Sequence, residues 1–255
     1  MNDWPADNST VSKELARHEV RIQTGSRLHF GLCDTAKPFG GIGVMLDRPQ
    51  TEVVVCSADR FRCDGLADPR IRLIAERISQ RMQRSCLPHC RVAVPRRAAA
   101  HCGLGSGTQL ALATAEAVSR LMGLVIEPSV LASQIAGRGQ RSAVGVHGYF
   151  RGGMIFERSE QTCKLNPVRR RIELPRHWRV GIVQPARKVK SISGAYEQSQ
   201  FARLDPAPAE RKAGLQQAIA YQILPAADRG QFQAFADAVH HYNRASGLLF
   251  EAAQG

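Results

Sequence analysis

Residues 101–113, HCGLGSGTQLALA, alternate glycines 103, 105 and 107 with Leu104, Ser106 and Thr108 directly ahead of an apolar helical pattern. The first turn of a helix carries unpaired N–H groups and the positive end of its dipole, and glycine lets backbone curl closely around an oxyanion. The chemistry this allows is phosphate binding. The segment lacks the Lys of the Walker loop and the spacing of the dinucleotide fingerprint, and the same pattern also serves as a strand-to-helix turn with no ligand. A second pattern is cationic: 35 Lys and Arg stand against 22 Asp and Glu, a net charge of +13, with clusters at Arg96-Arg97 and Arg169-Arg170-Arg171. Such a field suits an anionic partner, a nucleic acid or a small polyphosphate, although solvated surface arginines are the plainer reading of any one of them. CLPHC at 86–90, with His101-Cys102 after it, imitates a zinc set, but the intervening stretch reads as one strand running into the glycine loop, which argues against metal. Trp178 and Tyr196 lack the spaced aromatic and basic pattern of a single-strand nucleic-acid surface, so nucleic acid is the least favoured partner.

The elements that must position these groups alternate in type. EVRIQTGSRLHF and QTEVVVCSA show β-branched alternation around an FGGIG turn, so 19–57 reads as antiparallel strands. Asp68 is placed as a helix N-cap and Pro69 as the first helical residue, with Ile71, Ile74, Ala75, Ile78 and Met82 on one face. CRVAVP at 90–95 is a strand, and the loop feeds a helix from about Ser106 to Met122 that stops at Gly123. A further helix begins near Pro128. Gly152–Glu157 and Trp178–Gln184 read as strands, and helical patterns surround Leu215–Leu224 and Gln231–Arg244. The class is α+β, with an irregular N-terminus over 1–18, a phosphate-binding domain over 19–165 and a second domain over 166–255. The seven cysteines, at 33, 56, 63, 86, 90, 102 and 163, are an odd, irregular set and read as free thiols. No run approaches the roughly 18 apolar residues of a membrane span, and residues 1–20 lack the pattern of a secretory signal. The expected location is the cytoplasm.

The order of TGSRLHFGLCD at 24–34, FGGIGV at 39–44, HCGLGSGTQ at 101–109, GRGQRSAVGV at 137–146 and SISGAYEQSQF at 191–201 resembles the GHMP superfamily of small-molecule kinases. The resemblance is closer to its offshoot, the beta-ribofuranosylaminobenzene 5'-phosphate synthases. Two departures from the kinase pattern favour the synthase branch. Gly107 stands where kinases carry a second serine for phosphate or magnesium, and Gly145-Val146-His147 stands where kinases carry an Asp that orients the acceptor hydroxyl. The resemblance implies a GHMP-type two-domain architecture and a reaction joining phosphoribosyl pyrophosphate to 4-aminobenzoate or 4-hydroxybenzoate, with release of carbon dioxide and pyrophosphate. It places that chemistry in tetrahydromethanopterin biosynthesis. An ATP-dependent small-molecule kinase is the alternative, and a non-catalytic anion- or nucleic-acid-binding protein a further one.

The synthase reaction implies particular roles. Gly103, Leu104, Gly105, Ser106, Gly107, Thr108 and Gln109 would hold a phosphate of the donor. Arg27, Arg138 and Arg141, with Ser142, would take its other anionic groups or the benzoate carboxylate, because guanidinium binds both with paired hydrogen bonds. Lys188, Lys190 and Ser193 would cap the site from the second domain. His29, Asp34 and His147 are the candidates for catalysis, a structural histidine being the alternative for His147. Mg2+ is expected with the pyrophosphate, and Asp34 and Glu157 are its candidate ligands. In proteins resembling this family, the stretch matching FEAAQG at 250–255 is followed by several dozen more residues. The expectation is therefore an incomplete second domain, weak donor binding, poor turnover and a tendency to associate, with a homodimer as the simplest form.

Overall fold

The computed structural model describes residues 18–65, 68–100, 102–160, 165–183, 199–200 and 202–251. Two long antiparallel strands, β1 (Glu19–Leu32) and β2 (Gly41–Ser57), form the spine of a mixed sheet. Strand β2 divides its free edge between two partners. Its C-terminal half pairs antiparallel with β4 (Cys90–Arg96), to which β3 (Arg62–Asp64) adds in parallel, and Gly41–Val44 pairs with β5 (Met154–Glu157), whose other edge pairs antiparallel with β6 (Val168–Ile172). Bulges interrupt β1 between Thr24 and Ser26 and between His29 and Gly31. A bulge bends a strand and re-aims its side chains. Arg27 and His29 lie between the two.

Helix α1 (Pro69–Arg81) forms as its signals predict: Asp68 accepts from the Arg70 N–H at 3.1 Å, Pro69 begins the helix, and Ile71, Ile74 and Ile78 are buried. Burial of each such side chain contributes about 1.5–3 kcal/mol. Helix α2 (Ser106–Leu121) lies beneath the sheet, with Leu110 through Ala115 buried on all sides, and ends before Gly123, whose φ is +71°. Together with Ile22, Val53, Val55 and Val92 these helices make the first core. Glu127 caps α3 (Pro128–Val130), which runs into a π-helical turn (Leu131–Ile135), and α4 (Val144–Arg151) leads into β5.

A second core gathers on the other half of the same strands. Phe30, Ile42, Val44, Met154, Phe156 and Ile172 meet α5 (Ala209–Ala218), a π-helical turn (Ile219–Ile223), α6 (Leu224–Asp228) and α7 (Phe232–Gly247). Tyr242 and Ser246 of α7 donate to the carbonyls of Gly31 and Leu32, and Asn243 to that of Phe30.

Two expectations are corrected. Trp178–Val183, the described part of the strand expected over Trp178–Gln184, is in no strand. Trp178 instead lays its ring against Phe232 and Phe235 of α7, with centroids at 5.3 and 5.0 Å. Conversely VRRRI, a basic run in the sequence, is strand β6; Arg170 pairs with Asp228, and Arg171 with Glu173 and the carbonyls of Arg151 and Gly152. Among the described residues no helix is long and apolar enough to cross a membrane.

Candidate anion-binding site

The glycine loop ends in a conformation only glycine adopts easily: Gly103 has φ +74°, and Gly105, the N-cap of α2, has φ +65°. No side chain caps α2, so its first N–H groups are left to other partners. The loop is tied to β1 by the Arg27 N–H, which donates to the Leu104 carbonyl at 2.9 Å. The Arg27 guanidinium then lies against the loop. A Cβ on Gly105 would stand 3.0 Å from its Nε, and a Cβ on Gly145, at the start of α4, 3.5 Å.

Four more arginines surround this point. A Cβ on Gly107 would collide with Nη1 of Arg70 and stand 3.9 Å from Nη2 of Arg138. Arg141 raises the potential at both Arg27 and Arg138, disfavouring their charge, and burial is the larger cause of the same effect at each. Asp68 binds Arg70 through Nε at 2.7 Å and Nη2 at 2.6 Å, and Arg97 at 3.3 Å. Burial opposes the charge on Asp68, but the hydrogen bonds from Arg70 and the charges of Arg70 and Arg97 prevail and hold its pKa below the usual range. The Nε atoms of Arg27, Arg97 and Arg138 are buried without a hydrogen-bond partner. Guanidinium groups stay charged in proteins, and buried charge is costly unless an opposite charge meets it. This arrangement therefore suits an anion.

Beside Arg27 sit His29, Ser142 and Glu157. The Gly31 N–H donates to Nδ1 of His29, which places the ring proton on Nε2, 3.1 Å from the Ser142 Oγ. Burial and the charge of Arg27 push the His29 pKa down to about 3, so the ring is neutral and fixes the hydroxyl. Glu157 is 1% exposed, accepts from the Ala143 N–H at 2.5 Å and leaves its Oε1 unpartnered. Burial lifts its pKa to about 7, against the pull of Ser142, the Ala143 N–H, Asn166 and Arg27.

Of the residues singled out in the sequence, the structure thus brings together the 103–108 loop, Arg27, Arg138, Arg141, Ser142, His29 and Glu157. Others point elsewhere. Gln109 is wholly buried, accepting from Thr24 and donating to the Gly145 carbonyl, so its side chain braces the fold and does not face the loop. Asp34 is held by Lys212 at 2.7 Å and by the N–H groups of Ala36 and Ala207. These interactions outweigh its burial and keep its pKa low. His147 is bonded through Nε2 to the Asn166 carbonyl at 2.7 Å, and burial lowers its pKa. Lys188, Lys190 and Ser193 lie outside the described residues. Among the described residues no group of three His, Cys, Asp or Glu side chains could hold a metal. Asp34, already engaged by Lys212 and two backbone N–H groups, does not fit a resident Mg2+ site, and Glu157 belongs to no group of three such ligands among the described residues. Cys90, in the zinc-like motif, is a core residue. Asp68 and Arg70 escaped the functional reading of the sequence, and Arg97 entered it only as part of a cationic cluster. A signal existed: Arg70 sits in the first turn of α1, where a cation opposes the helix dipole and asks for a reason.

The fold is of the GHMP kinase type. The GHMP kinases N terminal domain matches residues 70–154. Phosphomevalonate kinase from Streptococcus pneumoniae superposes with a TM-score of 0.63 at 11% identity, over 91% of this chain and 80% of that one. A putative sugar kinase from Campylobacter jejuni gives 0.56 at 15% identity, over 89% and 75%. Beta-ribofuranosylphenol 5'-phosphate synthase from Methanothermobacter thermautotrophicus is 30% identical, over 87% of this chain and 74% of its own. That from Archaeoglobus fulgidus is 29% identical, over 86% and 74%. The chain belongs to the beta-ribofuranosylphenol 5'-phosphate synthase family.

Proposed function

We propose that this protein is a phosphoribosyl-transferring synthase that condenses phosphoribosyl pyrophosphate with a para-substituted benzoate. The name of its relatives, which specifies a ribofuranosylphenol, fits 4-hydroxybenzoate as acceptor. The observation that carries the reading is the convergence of Arg27, Arg70 and Arg138 on the glycine loop, with the buried Nε atoms of Arg27 and Arg138 lacking partners. In the reaction the bond from ribose C1 to pyrophosphate breaks and its electron pair leaves with the pyrophosphate. The ring carbon bearing the carboxylate supplies the pair for the new C–C bond. Carbon dioxide then departs, and the electrons of its broken C–C bond restore the aromatic ring. The balance requires no proton transfer, so the work of the protein is to position two anionic reactants and stabilise the leaving anion. The loop N–H groups, Ser106 and Thr108 would bind phosphate oxygens, and Arg27, Arg138 and Arg141 the remaining anionic groups. Glu157, mostly neutral below pH 7, would not repel them. Mg2+ would enter as the complex of the donor, held by phosphate oxygens and water.

The test is to incubate the purified protein with Mg2+, phosphoribosyl pyrophosphate and carboxyl-labelled 4-hydroxybenzoate or 4-aminobenzoate. Equimolar carbon dioxide and pyrophosphate are expected. Release of neither with either acceptor would exclude this reading.

A further inference from the structure

The cationic groups at the loop fall on two sides of it. Arg27 meets Gly105 and Gly145, whereas Arg70 and Arg138 meet Gly107. We propose that Arg70 and Arg138 form a subsite for a diphosphate group on the Gly107 side, and that the absence of a side chain at 107 is what allows it. Resting on the function proposed above, this diphosphate is the one that leaves the ribose.

The geometry of Arg70 carries the argument. Asp68 accepts from its backbone N–H, its Nε and its Nη2, so one carboxylate caps α1 and holds the guanidinium on one edge. Nη1 remains, directed over the first turn of α2 where a Cβ on Gly107 would collide with it. Arg138 reaches the same point with Nη2 and keeps a buried, unpartnered Nε. Arg97, whose side chain is 17% exposed, also draws on Asp68 and has an unpartnered buried Nε. The guanidinium groups of Arg70 and Arg97 therefore share one carboxylate, with Arg138 close enough to feel its charge. Arg70 adds an unfavourable charge at the N-terminus of its own helix, a cost that an anion placed between the two helix starts would offset. A diphosphate has the charge and the oxygens to meet two guanidinium forks and the open N–H groups of α2 together, which a monophosphate does not. Any side chain at 107 would push Nη1 aside.

Calorimetric titration of the full chain with inorganic pyrophosphate, ADP and ribose 5-phosphate tests this, using wild type, Arg70→Gln and Gly107→Ala. Thermal melts identify folded variants, and Gly107→Ala, which retains Arg70, decides the matter if Arg70→Gln fails to fold. Pyrophosphate affinity should fall at least tenfold in both variants, with ribose 5-phosphate changed less than twofold. Wild type that does not bind pyrophosphate, a folded variant that binds it equally well, or an equal loss for ribose 5-phosphate would overturn the proposal. ADP that binds with the same dependence on Arg70 would uphold the diphosphate subsite. If pyrophosphate binds in this way but the condensation assay releases no carbon dioxide, the subsite stands and the phosphoribosyl reading alone fails.

Discussion

Replacing Glu157 with Gln should change how stability responds to pH while leaving the fold in place. The carboxyl is buried between the Ala143 N–H and Arg27, and burial moves its pKa from 4.5 to about 7. Below pH 4.5 the group is protonated in both states. Between 4.5 and 7 only the unfolded chain releases its proton, so stability present in acid is lost as pH rises, and above 7 the loss is complete. At about 1.4 kcal/mol for each tenfold step, the full change is about 3 kcal/mol. An amide cannot ionise and still offers an oxygen to Ala143. Urea unfolding of both proteins at pH 4.5, 5.5, 6.5 and 7.5 should show the variant gaining about 3 kcal/mol on wild type across the series, a midpoint difference of roughly 1–2 M. His29 has the opposite slope: burial depresses its pKa from 6.5 to about 3, so its contribution is present above pH 6.5 and is lost as pH falls. Because His29 is present in both proteins, the difference between them isolates Glu157. Parallel pH curves would refute the argument, since they would mean that Glu157 ionises normally in the folded protein.

Gly105→Val forces a β-branched residue to φ +65° and sets a Cβ 3.0 Å from Arg27 Nε; the melting temperature should fall, and titration should show phosphoribosyl pyrophosphate affinity reduced at least tenfold, while unchanged affinity in a folded variant would remove the loop from the site. Arg138→Lys keeps the charge but loses the fork, at a cost of about 1.5–3 kcal/mol, so kcat/KM should drop roughly tenfold or more; equal kinetics would make Arg138 structural. Asp34→Asn weakens the clasp to Lys212 and should lower stability in urea by about 1.5–3 kcal/mol, leaving turnover per folded molecule unchanged. Turnover lost beyond the folded fraction would return Asp34 to the reacting atoms.

The parts of the fold legible in the sequence are those whose causes are local. The cap at Asp68, Pro69 and the isoleucine stripe define α1 within a few residues, and the alanine-rich run after the glycine loop defines α2. Strand β6 was illegible because the partners that neutralise its arginines, Asp228 above all, are distant in sequence. Trp178–Val183 misled because its apolar alternation is real, yet the ring that anchors it packs on a helix some fifty residues away. Helix α4 hides behind Gly145 and Gly148, poor helix formers; a Cβ on Gly148 would clash with Met45. At the site, residue types alone could not separate Arg27 from Asp34, Gln109 or His147. What separates them is whether a partner such as Lys212, Thr24 or the Asn166 carbonyl arrives from elsewhere in the fold. Arg70 reaches the loop only because α1 docks beside α2, and Arg97 joins it only through Asp68.

Strands β1 and β2 pass through both cores: Ile22, Val53 and Val55 belong to the first, Phe30, Ile42 and Val44 to the second, and Arg27 and His29 stand between them. A clamshell enzyme closes by swinging two bodies about a few loose residues. Here the link between the halves is a pair of hydrogen-bonded strands; bulges interrupt their ladder at Thr24/Ser26 and His29/Gly31, but a hinge motion would still break the pairing of Ser26–His29 with Gly43–Leu46. Substrate entry and product release must therefore be served by movement of loops and side chains over a stiff frame. The same stiffness makes the halves interdependent, so that a lesion in the distant helical core, at Tyr242 for example, is felt at the arginines as a loss of alignment long before the chain unfolds.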